Sequence, residues 1–265
     1  MGGSAAHLAR RTLFEHTANS VTSDPTKETD DVSGAARAAG ALEEGGGADG
    51  RGAGGGPGDG ATAEDADAGL EAEPAEIGPD PDAVAAAPPA VAELAAACVR
   101  FVSTRYKTPL DFTPETLSLL DQWIRDARTE VAAVPESAEL VQSAAGAYLG
   151  EVIRRAFGAR WFAEGDVSAW RLYLSRVYCA VNPVGLVREA LILGPAEGWH
   201  AHFELDPGER DAIEARLASL PAADDEEFYA PTTRFDVLSI VFDALREGLR
   251  ARGLGDVRFT PEDYG

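Results

Sequence analysis

From Ala90 onward the apolar residues recur at helical spacing. In Ala90–Tyr106, Val91, Leu94, Ala95, Cys98, Val99 and Val102 share one face, and Lys107-Thr108-Pro109 ends the run. A second helix is announced by Asp111-Phe112-Thr113-Pro114-Glu115. Thr113 is placed as its cap, Pro114 suits the first helical position, and Phe112 is expected to staple onto Leu117. Leu117, Leu120, Ile124 and Ala127 form its apolar face, with Trp123 at the flank. A third helix is predicted from about Ser137 to Phe157, with Gly158 as its C-terminal glycine. Arg171–Leu174 then alternates, and with Trp161-Phe162 and the run to Val181 it predicts one or two strands. Asn182-Pro183 leads into a short helix over Val184–Leu193, ending at Gly194-Pro195. Trp199–Leu205 alternates again and reads as a strand, with His200, His202 and Glu204 on its outer side. Asp206-Pro207-Gly208-Glu209 carries a capping box for a helix to about Leu220. An acidic loop, 221–227, precedes a final amphipathic helix from about Thr233 to Arg252. Helices at both ends and short strands between them predict an α+β domain. Its helices pack on a short, mainly antiparallel sheet.

Two glycines inside the third helix, Gly146 and Gly150, change this picture. Each costs the helix about 0.5–1 kcal/mol relative to alanine. Four residues apart, they fall on nearly the same face, so another element is expected to approach the backbone closely there. Glu151, Arg154 and Arg155 follow directly, and Gly158-Ala159-Arg160-Trp161 makes a turn.

Composition separates residues 1–89 from residues 90–265 of the 265-residue chain. The first segment is rich in Gly, Ala and acid, and Phe14 is its single aromatic residue. It buries too little apolar surface to offset about 1–2 kcal/mol of backbone entropy per residue, and reads as a disordered acidic arm. Within it, Leu8, Leu13 and Phe14 accompany Arg10 and Arg11, a pattern compatible with a short docking helix or with a slightly apolar patch. The net charge is −22. Phosphate backbones and anionic membranes are bound through clustered Lys and Arg, so nucleic acid and membrane are not expected partners. No stretch nears the roughly 18 consecutive apolar residues of a membrane span, and residues 1–20 lack the apolar core of a secretory signal. A cytoplasmic location is expected. Lys27 and Lys107 are the only lysines, as in proteins of GC-rich bacteria. Cys98 and Cys179 have no metal-type spacing and read as buried thiols.

The order Asp111-Phe112-Thr113-Pro114-Glu115-Thr116-Leu117, Gly146-Ala147-Tyr148-Leu149-Gly150-Glu151, Gly158-Ala159-Arg160-Trp161, Asn182-Pro183 resembles a loose group of uncharacterised bacterial domains. In that group a Gly-x-Tyr-x-Gly-Glu helix leads to a Gly-x-x-Trp turn, a strand and an Asn-Pro helix start. The resemblance covers roughly residues 105–195. It implies the fold and a bacterial setting, and carries no activity with it.

Candidate chemistry is sparse. Glu151 is a weak candidate general base if burial raises its pKa. The competing reading is an ion pair with Arg154, Arg155 or Arg160. His200 and His202, with Glu204, would share one strand face and are weak metal candidates. Three ligands along one strand are too spread for a single ion, so partners from elsewhere would be required. Ser143, Ser168, Ser175 and Ser239 lack a nucleophile-elbow context. Trp123, Tyr148, Trp161, Trp170, Tyr173 and Tyr178 are expected in the core, and Asp121, Asp126 and Glu130 on solvated faces. No catalytic residue and no cofactor is assigned. The chain is therefore expected to be a non-enzymatic protein-interaction or regulatory domain with another protein as partner. The alternative is a metal-dependent or carboxylate-based hydrolase using His200, His202 and Glu151.

Overall fold

The computed structural model describes residues 86–264. The acidic arm, residues 1–89, lies outside the described residues except for its last four. Seven helices and a four-stranded antiparallel sheet make an α+β fold among these residues.

Helix α3, Ser137–Phe157, stands at its centre and is buried on almost every side from Gln142 to Arg154. Its residues there are mostly small or apolar, as a helix wrapped by neighbours requires. Helices α1, Pro89–Tyr106, and α4, Pro183–Ile192, pack against it, and α2, Leu117–Ala133, crosses it. The two glycines set the α3–α4 distance. A Cβ on Gly146 would lie 2.5 Å from the Val184 Cα, and one on Gly150 would lie 2.1 Å from the Trp161 ring. Gly158, at φ +69°, ends the helix in the left-handed conformation that favours glycine.

The sheet is a meander in the order β1, Ala159–Phe162; β2, Arg171–Leu174; β3, Cys179–Val181; β4, Glu204–Leu205. Ala159 pairs with Leu174, Leu172 with Val181 and Cys179 with Leu205. Leu172 and Leu174 enter the core, while Arg171 and Tyr173 point the other way and are half-buried. The C-terminal tail closes that outer side. The Tyr264 ring stacks on Tyr178 at 4.3 Å and lies 4.6 Å from Tyr173. Its hydroxyl accepts from the Cys179 N–H at 2.9 Å and faces the carbonyls of Leu174, Val177 and Cys179 at 3.1 Å each. Helices α5, Arg210–Leu217, α6, Asp225–Tyr229, and α7, Pro231–Ala251, complete the fold. Helix α7 buries Phe235, Leu238, Val241, Leu245 and Leu249 along one face, as its spacing predicts.

Local chemistry explains where the elements depart from the sequence pattern. Ahead of α2, Asp111 accepts from the Thr113 N–H and both threonine hydroxyls, Thr113 and Thr116. Thr113 itself caps nothing, and residues Pro114–Thr116 form a 3₁₀ turn. Phe112, at φ +64°, stacks on Tyr148 at 4.9 Å. The predicted strand over Trp199–Leu205 shrinks to two residues, because His200 turns to φ +47° and the Trp199 carbonyl is taken by Asn182. Ala201, Phe203 and Leu205 are still buried in alternation. Glu209 closes no capping box; it pairs with Arg252, just past the end of α7, at 2.6 Å. The acidic run is not all loop: Asp224 caps α6 through the Glu227 N–H, and the acids after it favour the positive end of that short helix. Asp121 is not solvated but half-buried, accepting from the Thr232 N–H at the start of α7. Asp126 accepts the Tyr106 hydroxyl proton at 2.7 Å and the Gln122 amide at 2.8 Å.

Candidate functional site

Glu151 follows the glycine that admits Trp161, and the two facts are linked. The indole lies over the bare Gly150 backbone and donates from Nε1 to Glu151 Oε1 at 2.9 Å. Arg154 grips the same carboxylate with both arms, Nε to Oε1 and Nη2 to Oε2, each at 2.7 Å. Arg155 approaches to 3.8 Å and lays its guanidinium 4.1 Å above the Phe112 ring. Glu151 is 3% exposed. Burial pushes its carboxyl up, but the hydrogen bonds from Arg154 and Trp161 and the two arginine charges outweigh that, leaving it below the usual carboxylate range. A general base at neutral pH needs the opposite shift. The geometry is that of a fixed anion tying α3 to β1.

The histidines are in another environment. His200 is exposed in the turn before β4, and His202 is half-buried two residues on. Their rings lie 6.0 Å apart. Among the described residues no group of three or more His, Cys, Asp or Glu is placed to hold a metal ion. Glu151 is engaged with Arg154, Arg155 and Trp161 instead. Both cysteines are buried free thiols, their pKa values pushed up by burial.

A second buried acid–base pair escapes the sequence pattern. Glu189 of α4 meets Arg234 of α7 at 2.8 Å, with both side chains less than 5% exposed. The Arg234 guanidinium stacks over Phe228 at 4.1 Å, and its Nε and Nη1 have no hydrogen-bond partner among the described residues. Burial pushes the Glu189 carboxyl up to about 7; the Arg234 charge and the Ala196 N–H pull it partly back. Glu189 sits beside Arg188 in the run VGLVREALI, so the sequence carried no signal for a buried acid. Beside it, Asn182 uses its whole amide. Its Oδ1 accepts from the N–H groups of Val184 and Gly185, and its Nδ2 donates to the carbonyls of Ser168 and Trp199.

Among the described residues a concave surface lies elsewhere. A groove of about 570 Å³ opens between α1, α2 and α3. Phe101 and Trp123 form its floor, with ring centroids 6.5 Å apart, and Leu140 and Val141 form one wall. Phe101 is 48% exposed, Leu140 50%, and neighbouring Val134 53%. Arg105 bridges the rim to Glu130 at 2.6 Å and to Asp126 at 3.3 Å. Phe101 and Leu140 fall off the core-facing stripes of their helices, which was the sequence signal for this surface. No known protein family, curated protein or solved structure matches this chain.

Proposed function

We propose that this chain is a non-enzymatic bacterial protein-interaction domain, acting in the cytoplasm, that receives an amphipathic helical segment in the groove between α1, α2 and α3. The carrying observation is the exposure of Phe101 and Leu140 in one apolar depression. Helix-in-groove recognition uses this kind of surface: an apolar floor, an aromatic anchor and a charged rim. The buried polar groups point the same way. Glu151, Glu189 and Asn182 are each committed to joining elements of the fold, which leaves them no free role in a reaction. The net charge of −22 favours a partner with basic residues over nucleic acid or anionic lipid. The resemblance to uncharacterised bacterial domains fits this setting and adds no activity. No helix among the described residues is long and apolar enough to cross a membrane.

The test is a comparison of wild-type protein with the Phe101→Asp/Leu140→Asp variant as baits in extracts of the native host. A protein retained by the wild type, lost by the variant, and bound again with purified components supports the reading. Equal retention by both baits overturns it. The hydrolase alternative predicts stoichiometric zinc in purified protein, lost when His200 and His202 are replaced.

A further inference from the structure

The groove lies on the distal half of α1. Phe101 is twelve residues beyond Pro89, so the floor sits about 18 Å along the helix from its start, at 1.5 Å per residue. The chain enters that helix from the acidic arm. Leu8, Leu13 and Phe14 are the one place in residues 1–85 where a large aliphatic or aromatic residue lies within five positions of another. At helical spacing Ala5, Leu8, Ala9 and Leu13 share one face, and His7, Arg10 and Arg11 take the other. Phe14, the arm's one aromatic residue, follows at the end of this pattern.

Arg100 and Arg105 line the α1 side of the groove, and the opposite side is acidic. Glu130 lines the groove, and Glu136 and Glu139 are exposed beside Ser137 and Leu140. Between Thr129 and Ile153 there is no lysine or arginine. The Arg10-Arg11 doublet, unmatched elsewhere in the arm, complements that side of the groove.

Resting on the reading of this groove as a helix-binding surface, we infer that its occupant in the isolated protein is residues 5–18 of the same chain. Residues 19–85 form the tether. A Gly-, Ala- and acid-rich chain of this length has a root-mean-square reach of about 45 Å in general, well beyond the roughly 18 Å to the groove. A tether of this kind holds its end at an effective concentration of about 1 mM. A segment with an intrinsic dissociation constant near 0.1 mM is then about nine-tenths docked. A partner helix must displace it, so the arm sets a threshold for partner binding.

The experiment is amide hydrogen exchange on the full-length chain, read on peptides covering residues 5–18. Exchange there is expected to be slowed about tenfold in the wild type. The slowing is lost in Phe101→Asp/Leu140→Asp, whose changes lie at half-exposed positions. It is lost equally in Leu8→Asp/Leu13→Asp, whose changes lie outside the described residues. Circular dichroism confirms that both variants keep the fold. Identical exchange at residues 5–18 in all three proteins overturns the inference. Slowing that grows with protein concentration, together with dimers in sedimentation, also overturns it in favour of a second copy as donor. If exchange is unaffected but a purified partner still requires Phe101 and Leu140, the inference falls and the proposed function stands. If that partner binds the groove variant equally well, the proposed function falls.

Discussion

Replacing Gly146 with alanine is the sharpest test of the packing at the centre of the fold. In an open helix this change stabilises by about 1 kcal/mol. Here the added methyl would sit 2.5 Å from the Val184 Cα, 2.9 Å from its Cγ2 and 3.0 Å from its Cβ. Carbon atoms rest comfortably at about 3.5–4.0 Å, so α4 must retreat by about 1 Å. The nearest atom is backbone, so no rotamer change relieves the contact. Overpacking of this kind costs about 1–3 kcal/mol or more. Moving α4 also strains the Asn182 hydrogen bonds at its cap, each worth about 1 kcal/mol. The expected balance is a net loss of about 2–3 kcal/mol, read as a lower urea midpoint and a melting temperature lower by about 4–12 °C. Gly194→Ala is the control. Its nearest neighbour would be the Ile192 carbonyl at 4.0 Å, so it should hold or raise stability by up to about 1 kcal/mol. A Gly146→Ala protein as stable as the wild type would refute the close-approach argument.

Stability should also fall as pH rises through the range where Glu189 titrates. Its ordinary pKa of 4.5 is raised to about 7 in the fold, so between those values the folded chain holds a proton the unfolded chain has lost. The loss is up to about 3 kcal/mol and is complete above pH 7. Urea midpoints at pH 5 and pH 8 measure it, and Glu189→Gln should flatten the difference. An equal slope in that variant assigns the effect to other groups. Tyr264→Phe should cost about 1–2 kcal/mol by leaving the Cys179 N–H without its acceptor, with faster exchange at that amide as the local readout.

The helices were legible because each carries a long apolar period: α3 runs from Ser137 to Phe157 as the pattern predicts. The close approach at Gly146 and Gly150 was legible too, since glycine inside a good helix has few other causes. The strands were harder. At two to four residues each they offer hardly one full alternation, and β4 keeps its in–out burial over a longer stretch than its pairing. Caps were misread where a neighbouring acid claimed the expected residue: the Thr113 hydroxyl donates to Asp111. At Glu209 a distant arginine, Arg252 at the end of α7, took the side chain instead. The Glu189–Arg234 pair was invisible because its partners are 45 residues apart on different helices. The groove was recorded only as what the apolar faces omitted, and omission becomes a surface only once three helices are set side by side.

Asn182 also bears on how the protein ages. Asparagine usually decays when the next backbone nitrogen attacks the side-chain amide, turning it into an acid. At this position the next residue is Pro183, which has no N–H to attack with. An aspartate here would replace the Nδ2 donor with a second acceptor and set two carbonyls, those of Ser168 and Trp199, against a negative charge. The joint on which β3, α4 and the two flanking loops converge therefore carries no chemical clock of this kind.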